Sequence, residues 1–234
     1  MAPLSVSGEH AEARVSSFVR SVYNWMFIGL SITGLVAYYV SHNESLMGII
    51  YGTPFLILGL ILAELGLVIY ISGMINRISA MTATNLFVLY SALNGVTLSF
   101  IFLIYTQTSI VATFFICSAT FLACSIYGWT TKKDLTSIGS FLMMGLFGII
   151  IASVVNMFIR SSVTSLVISY IGVIVFIGLT AYDTQKLKRM ALAQPDGLDA
   201  GIIRKGAIQG ALSLYLDFIN LFLMLLRIFG NSRN

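Results

Sequence analysis

In the stretch GALSLYLDFINLFLMLL, Gly210–Leu226, one carboxylate, Asp217, stands among leucines, and Asn220 follows a turn later. An ionised aspartate at the centre of a bilayer costs at least about 2.5–3.5 kcal/mol. Residues three and four apart share a helical face, and the set through Asp217 is Gly210, Ser213, Asp217, Asn220, Met224 and Arg227. Met224 apart, that face is small or polar, while the rest of the helix is Leu, Ile, Phe, Met and one Tyr. Such a helix turns its polar stripe toward protein or water. At 1.5 Å per residue Asp217 lies roughly 14 Å deep, where it needs a partner, a proton or an ion. A second acid, Asp183, closes the apolar stretch before it, FIGLTAYDTQKLK, ahead of a basic run. Two carboxylates sharing a low-dielectric site cannot both ionise cheaply, so they titrate as a unit. Deprotonated, Asp183 and Asp217 suit a hard cation such as calcium, which prefers oxygen ligands. The plainer alternatives are a solvated residue at a helix end for Asp183 and a structural hydrogen bond for Asp217.

Other polar residues fall in apolar surroundings. Glu64, in LILAELGLVIY, reads as a relay carboxylate or as a protonated acid bonded to another helix. Arg77 sits near the end of the same stretch, at a depth that allows pairing with Asp183, or serves as an ordinary flanking charge. Asn94 and Asn156 suit interhelical hydrogen bonds. Cys117 and Cys124 are seven residues apart in one apolar run. On a helix they lie about 10 Å apart along the axis, too far to bridge, and read as packing residues. The histidines, His10 and His42, lie outside the apolar runs, and the chain has no HExxH, CxxC or phosphate-cradling loop.

The elements that position these residues follow from composition. The chain is 58% hydrophobic and 9% charged, with mean hydropathy +0.94. Soluble domains run to about 25% charged residues, so this chain lacks the polar surface to cover itself. Stretches of roughly 20 apolar residues span a bilayer. Seven can be drawn: Val22–Val40, Pro54–Met74, Met81–Tyr105, Ser109–Trp129, Ile138–Ile159, Ser165–Tyr182 and Ile208–Phe229. This predicts an all-α integral membrane protein with seven transmembrane helices. Residues 1–21 form an amino-terminal segment, 22–229 a single transmembrane domain and 230–234 a short tail. Pro54 fits a first helical turn. The connection after the sixth stretch holds Pro195, Gly197 and Gly201 and is expected to be irregular in the middle. No cleavable signal peptide is expected, because the first apolar run spans and no small-residue cleavage site follows it.

Lysine and arginine are unevenly shared. Arg14, Arg20, Arg77, Lys132, Lys133, Lys186, Lys188, Arg189, Arg204 and Lys205 fall on one side; Arg160, Arg227 and Arg233 fall on the other. The positive-inside bias puts the amino terminus and the even loops in the cytoplasm and, for seven spans, the carboxyl terminus outside. Tyr38, Tyr39, Tyr105, Tyr127 and Trp129 lie near the expected interfaces. The net charge of +4 is spread over short loops and does not suggest nucleic-acid binding.

The segments GALSLYLDFINLFLMLLRIFG, GLTAYDTQKLK, YSALNGVTLSFIFLIYT and YGWTTKKDL closely resemble the Bax inhibitor (transmembrane Bax inhibitor motif) family, above all its bacterial members. The likeness runs from about Ser21 onward. It implies a last helix that is central and surrounded by the other six. It further implies a pH-sensitive calcium leak whose sensor is an aspartate pair matching Asp183 and Asp217, with an arginine latch matching Arg77. Glu64, Asn220, Ser213 and Asn94 are secondary polar candidates. No cofactor is implied beyond calcium as permeant or regulatory ion. The implied surroundings are the lipid bilayer of a bacterial inner membrane, calcium, protons and another membrane protein as partner.

Two other readings stay open. The chain could be a non-transporting regulator of another membrane protein, such as a membrane-bound protease. An intramembrane aspartyl protease would also place two aspartates on adjacent spans. Against that, the second aspartate lies in LYLDF rather than a Gly-x-Gly-Asp stretch, and no Pro-Ala-Leu follows it. The chain is therefore expected not to be an enzyme.

Overall fold

The computed structural model describes residues 4–195 and 197–233. Pro3, Asn234 and the side chains of His10 and Pro54 lie outside the described residues. The chain runs α1 (Leu4–Ser41), α2 (Glu44–Gly52), α3 (Pro54–Met74), α4 (Ala80–Leu98), α5 (Ile101–Ile104), α6 (Gln107–Thr130), α7 (Thr136–Ile159), α8 (Ser162–Leu192) and α9 (Ala200–Phe229). Among the described residues there is no strand, only an isolated bridge between Tyr105 and Ser232.

Six helical stretches are long and apolar enough to cross a membrane: Phe55–Met74, Ala80–Ile104, Gln107–Thr130, Thr136–Ile159, Ser162–Leu192 and Ala200–Phe229. The expected first span, Val22–Val40, joins this set only when α1 is taken together with α2, and the two helices bend by 97°. The extra helix α2 has a local cause. Asn43 caps it, its side chain accepting from Leu46 N–H at 3.0 Å, and Glu44 sits in the first turn. Two further boundaries differ from expectation. α8 runs on to Leu192, about two turns beyond Asp183, because KLKRMAL is a good helix-forming sequence. The following connection is confined to residues 193–199, so Gly201 lies inside α9, while Gly197 takes the left-handed φ of 79°.

The chain divides into two compact units. One comprises residues 1–104 and 189–215, the other residues 105–188 and 216–234. In the first, α1 packs on α4, α4 on α3, and α2 against both α1 and α3. α1 and α4 approach closely at Gly95, where a Cβ would meet Thr33 O at 2.7 Å. The last turn of α4 leaves backbone carbonyls to be satisfied from outside the helix. Tyr51 of α2 contributes, its hydroxyl lying 3.0 Å from Thr97 O and 3.3 Å from Val96 O, which also accepts from Ser99 N–H.

In the second unit α7 and α8 run antiparallel, with Gly139 under the Tyr182 ring, Gly178 against Leu142 and Gly145 against Val175. α6 runs alongside α8, and its Gly128 sits directly on the Ala181 carbonyl. Lys188 donates to Trp129 O at 2.7 Å, and Gln185 holds the α6–α7 turn by accepting from Leu135 N–H and donating to Lys133 O. Small residues allow this close approach, as is usual between helices in lipid. The tail after α9 folds back, with Asn231 N–H donating to Ser109 Oγ at 3.0 Å and Thr106 N–H to Asn231 O at 3.1 Å.

Burial is graded among the spans. In the most apolar window of α3 only 6% is buried, against 56% for α9. The outward leucines of α3 suit a lipid solvent. Gly128→Leu is expected to lower unfolding stability by about 1–3 kcal/mol or more, because a backbone carbonyl blocks the new side chain. Gly34→Ala, where nothing lies within 4 Å of a Cβ, is expected to be neutral or stabilising. Thermal unfolding in detergent checks both.

Candidate functional site

Asp217 is 5% exposed, and its Oδ2 is buried with no hydrogen-bond partner among the described residues. Asp183, in α8, is half-buried. Lys186 follows Asp183 by three residues in α8. Gly172 of α8 faces Met224 of α9 in this unit. Because α8 continues past it, Asp183 is an interior helix residue and not the end of a span.

Neutral groups lie beside Asp217 in sequence and packing. Phe218, next to Asp217, stacks edge-on with Phe114 and Phe121 of α6, at 5.7 and 5.4 Å between centroids. Its carbonyl accepts from the Cys117 thiol at 3.7 Å. Cys117 is buried and free, as is the less buried Cys124, consistent with packing roles. Asn220 does not reach the acid pair; its amide donates back to Leu216 O at 2.8 Å. Ser213 is half-buried in α9. Among the described residues no group of three or more His, Cys, Asp or Glu is placed to hold a metal ion. Oxygens for a cation beyond the two carboxylates must come from hydroxyls, carbonyls or water.

Glu64 and Asn94 belong to a different cluster, in the first unit. Asn94 Nδ2 donates to Glu64 Oε2 at 3.2 Å, and Thr97 Oγ1 donates to Glu64 Oε1. Asn94 Oδ1 accepts from the Tyr215 hydroxyl at 3.0 Å, which fixes the orientation of the amide. Tyr215 Oη lies 2.6 Å from Thr33 Oγ1, and Thr33 in turn reaches Ser91 O at 2.8 Å. Both Glu64 oxygens are thus partnered, which matches the reading of a carboxyl bonded to another helix. Sequence reasoning counted Tyr215 with the oily part of its helix and missed this network. The signal was available: Tyr215 precedes Asp217 by two residues and carries a hydroxyl that needs a partner when buried. Asn156 caps the other end of its helix, accepting from Ser161 N–H at 3.2 Å. Arg77 is exposed in the turn between α3 and α4, where its N–H donates to Met74 O at 2.8 Å.

Breaking the network at its centre tests it. Asn94→Leu strips partners from Glu64 and Tyr215 at once and should cost about 0.6–2 kcal/mol. A double-mutant cycle with Tyr215→Phe should show a coupling of about 0.5 kcal/mol or more. Unfolding in detergent provides the measurement, and additive effects would remove the link.

Residues 15–234 match the family model described as "Inhibitor of apoptosis-promoting Bax1". The chain is 50% identical over 231 residues to the inner membrane protein YbhL of Escherichia coli, covering 99% of this chain and 98% of that protein. It is 52% identical over 219 residues to an uncharacterized protein of Borreliella burgdorferi, covering 94% of each. An uncharacterized protein of Deinococcus radiodurans is 42% identical over 234 residues, covering 100% of this chain and 98% of its own length. With a family model matched along nearly its whole length and relatives of this similarity, the chain belongs to the Bax inhibitor family of membrane proteins.

Proposed function

We propose that the chain is a pH-sensitive cation leak, with calcium as the cargo, in which Asp183 and Asp217 bind protons and calcium in competition. The observation that carries this reading is the buried, unpartnered Oδ2 of Asp217. A buried carboxylate that served only packing would be bonded, as even the half-buried Glu64 is. An oxygen left open at this depth keeps a place for a proton, a water or a cation. Calcium binding requires the pair to lose its proton, so the two ligands exclude each other.

Around that pair, the reading takes the bent α1–α2 pair as one span, which makes seven. The strongly buried α9 becomes the central helix. The amino terminus lies in the cytoplasm, as the lysine and arginine bias favours. Likeness to the Escherichia coli inner membrane protein supports a multi-pass place in a bacterial inner membrane. Arg77 keeps the latch role on Asp183 that the resemblance gives it. The chain acts without catalysing a reaction and without a resident cofactor.

The sign of the pH effect follows from competition. Lowering pH through the range in which the pair takes up a proton weakens calcium binding, and raising it restores binding. Vesicles containing the purified chain and a calcium-sensitive dye test this. The wild type is expected to leak calcium with a clear pH dependence that Asp217→Asn abolishes. A reconstituted Asp217→Asn protein with the same leak and the same pH dependence would refute the proposal. Arg77→Ala should raise the basal leak at the pH where the wild type is least active; an unchanged basal leak removes the latch.

A further inference from the structure

We propose that the hydroxyls of Ser125 and Thr184 are further oxygen ligands of the cation path, forming with Asp217 and Asp183 a stepped column that takes a partly hydrated hard cation. This deepens the leak reading and rests on it.

The first observation is chemical. Hydroxyls in membrane helices ordinarily donate to the carbonyl four residues back. Ser118, Thr120, Thr130, Ser169 and Thr180 do so here, at 2.7–2.9 Å. Ser125 is 5% exposed and Thr184 is 2% exposed, yet neither Ser125 Oγ nor Thr184 Oγ1 has a partner among the described residues. Each leaves that default bond unmade. Buried polar atoms without partners are uncommon in a native structure and call for a water, an ion or a ligand.

The second observation is placement. On α6, Cys117 and Phe121 meet Phe218 of α9, and Gly128 meets Ala181 of α8. Ser125 stands between them, four residues after Phe121 and three before Gly128, so it shares their face and looks toward α8 and α9. On α8, Ala181 meets Gly128 and Lys188 reaches Trp129 O. Thr184 lies three residues after Ala181 and four before Lys188, on the face turned to α6. Asp183 adjoins Thr184 in sequence, and Asp217 adjoins Phe218. Asp217, Ser125, Asp183 and Thr184 therefore all lie along the seam of α6, α8 and α9.

The third is ligand number. Calcium takes 6–8 oxygens, and the pair of carboxylates supplies at most four. Hydroxyls and retained waters supply the remainder without adding charge. Several weak oxygen positions in file, rather than one tight cage, also let an ion enter and leave.

Calcium binding and calcium-induced thermal stabilisation of the purified full chain in detergent provide the test, with Asp217→Asn, Ser125→Ala, Thr184→Val and Ser125→Thr. In chelator, Ser125→Ala and Thr184→Val should melt at or above the wild-type temperature, since each removes an unpartnered hydroxyl. With calcium, the double variant Ser125→Ala/Thr184→Val should bind about tenfold more weakly. It should lose a matching part of the stabilisation, while Ser125→Thr, which keeps the hydroxyl, stays near wild type. If the double variant binds calcium like the wild type while Asp217→Asn does not, the hydroxyl ligands are overturned and the aspartate pair stands. If Asp217→Asn also binds like the wild type, both readings fall.

Discussion

A carboxyl oxygen buried between helices must be bonded to something. Lipid offers no partner, so the bundle must supply a donor or leave room for one. Asp217 Oδ2 is such an oxygen, enclosed and unpartnered among the described residues. The aromatic packing of Phe114, Phe121 and Phe218 surrounds that position with hydrocarbon on one side. Asp217 itself is only 5% exposed. An enclosed lone pair of this kind is costly unless a donor, a proton or a cation meets it.

The two units each hold an acid within a long apolar helix, and the two acids differ in their bonding. In the first, Glu64, Asn94, Thr97, Tyr215 and Thr33 form a connected network in which both carboxyl oxygens are satisfied. Such a network rigidifies and specifies packing. In the second, Asp217, Ser125 and Thr184 each keep an oxygen unpaired. Glu64 has both carboxyl oxygens bonded, whereas Asp217 leaves one open.

How much of this could be read in advance depended on charge. Asp217, Asp183 and Glu64 stood out because an acid in an apolar run has few innocent explanations. The hydroxyls did not, because serine and threonine are common in membrane helices and usually bond their own backbone. Only coordinates reveal that Ser125 and Thr184 fail to do so. Tyr215 was hidden by its hydrocarbon ring, and Asn220 misled by its spacing, since its amide turned back to Leu216 O. Helical architecture and the long apolar stretches followed from composition. The bend after α1 did not, because hydropathy averages over the Asn43 cap that starts α2. The run of α8 to Leu192 was obscured by its lysines, which ended the apolar signal without ending the helix.

Proton release on metal binding addresses the central claim most directly. Calcium added to the purified chain in weakly buffered detergent solution should displace protons from the wild type, and the release should vanish in Asp217→Asn. Equal release from both proteins would contradict the account, because the acid placed at its centre would then have no part in the exchange.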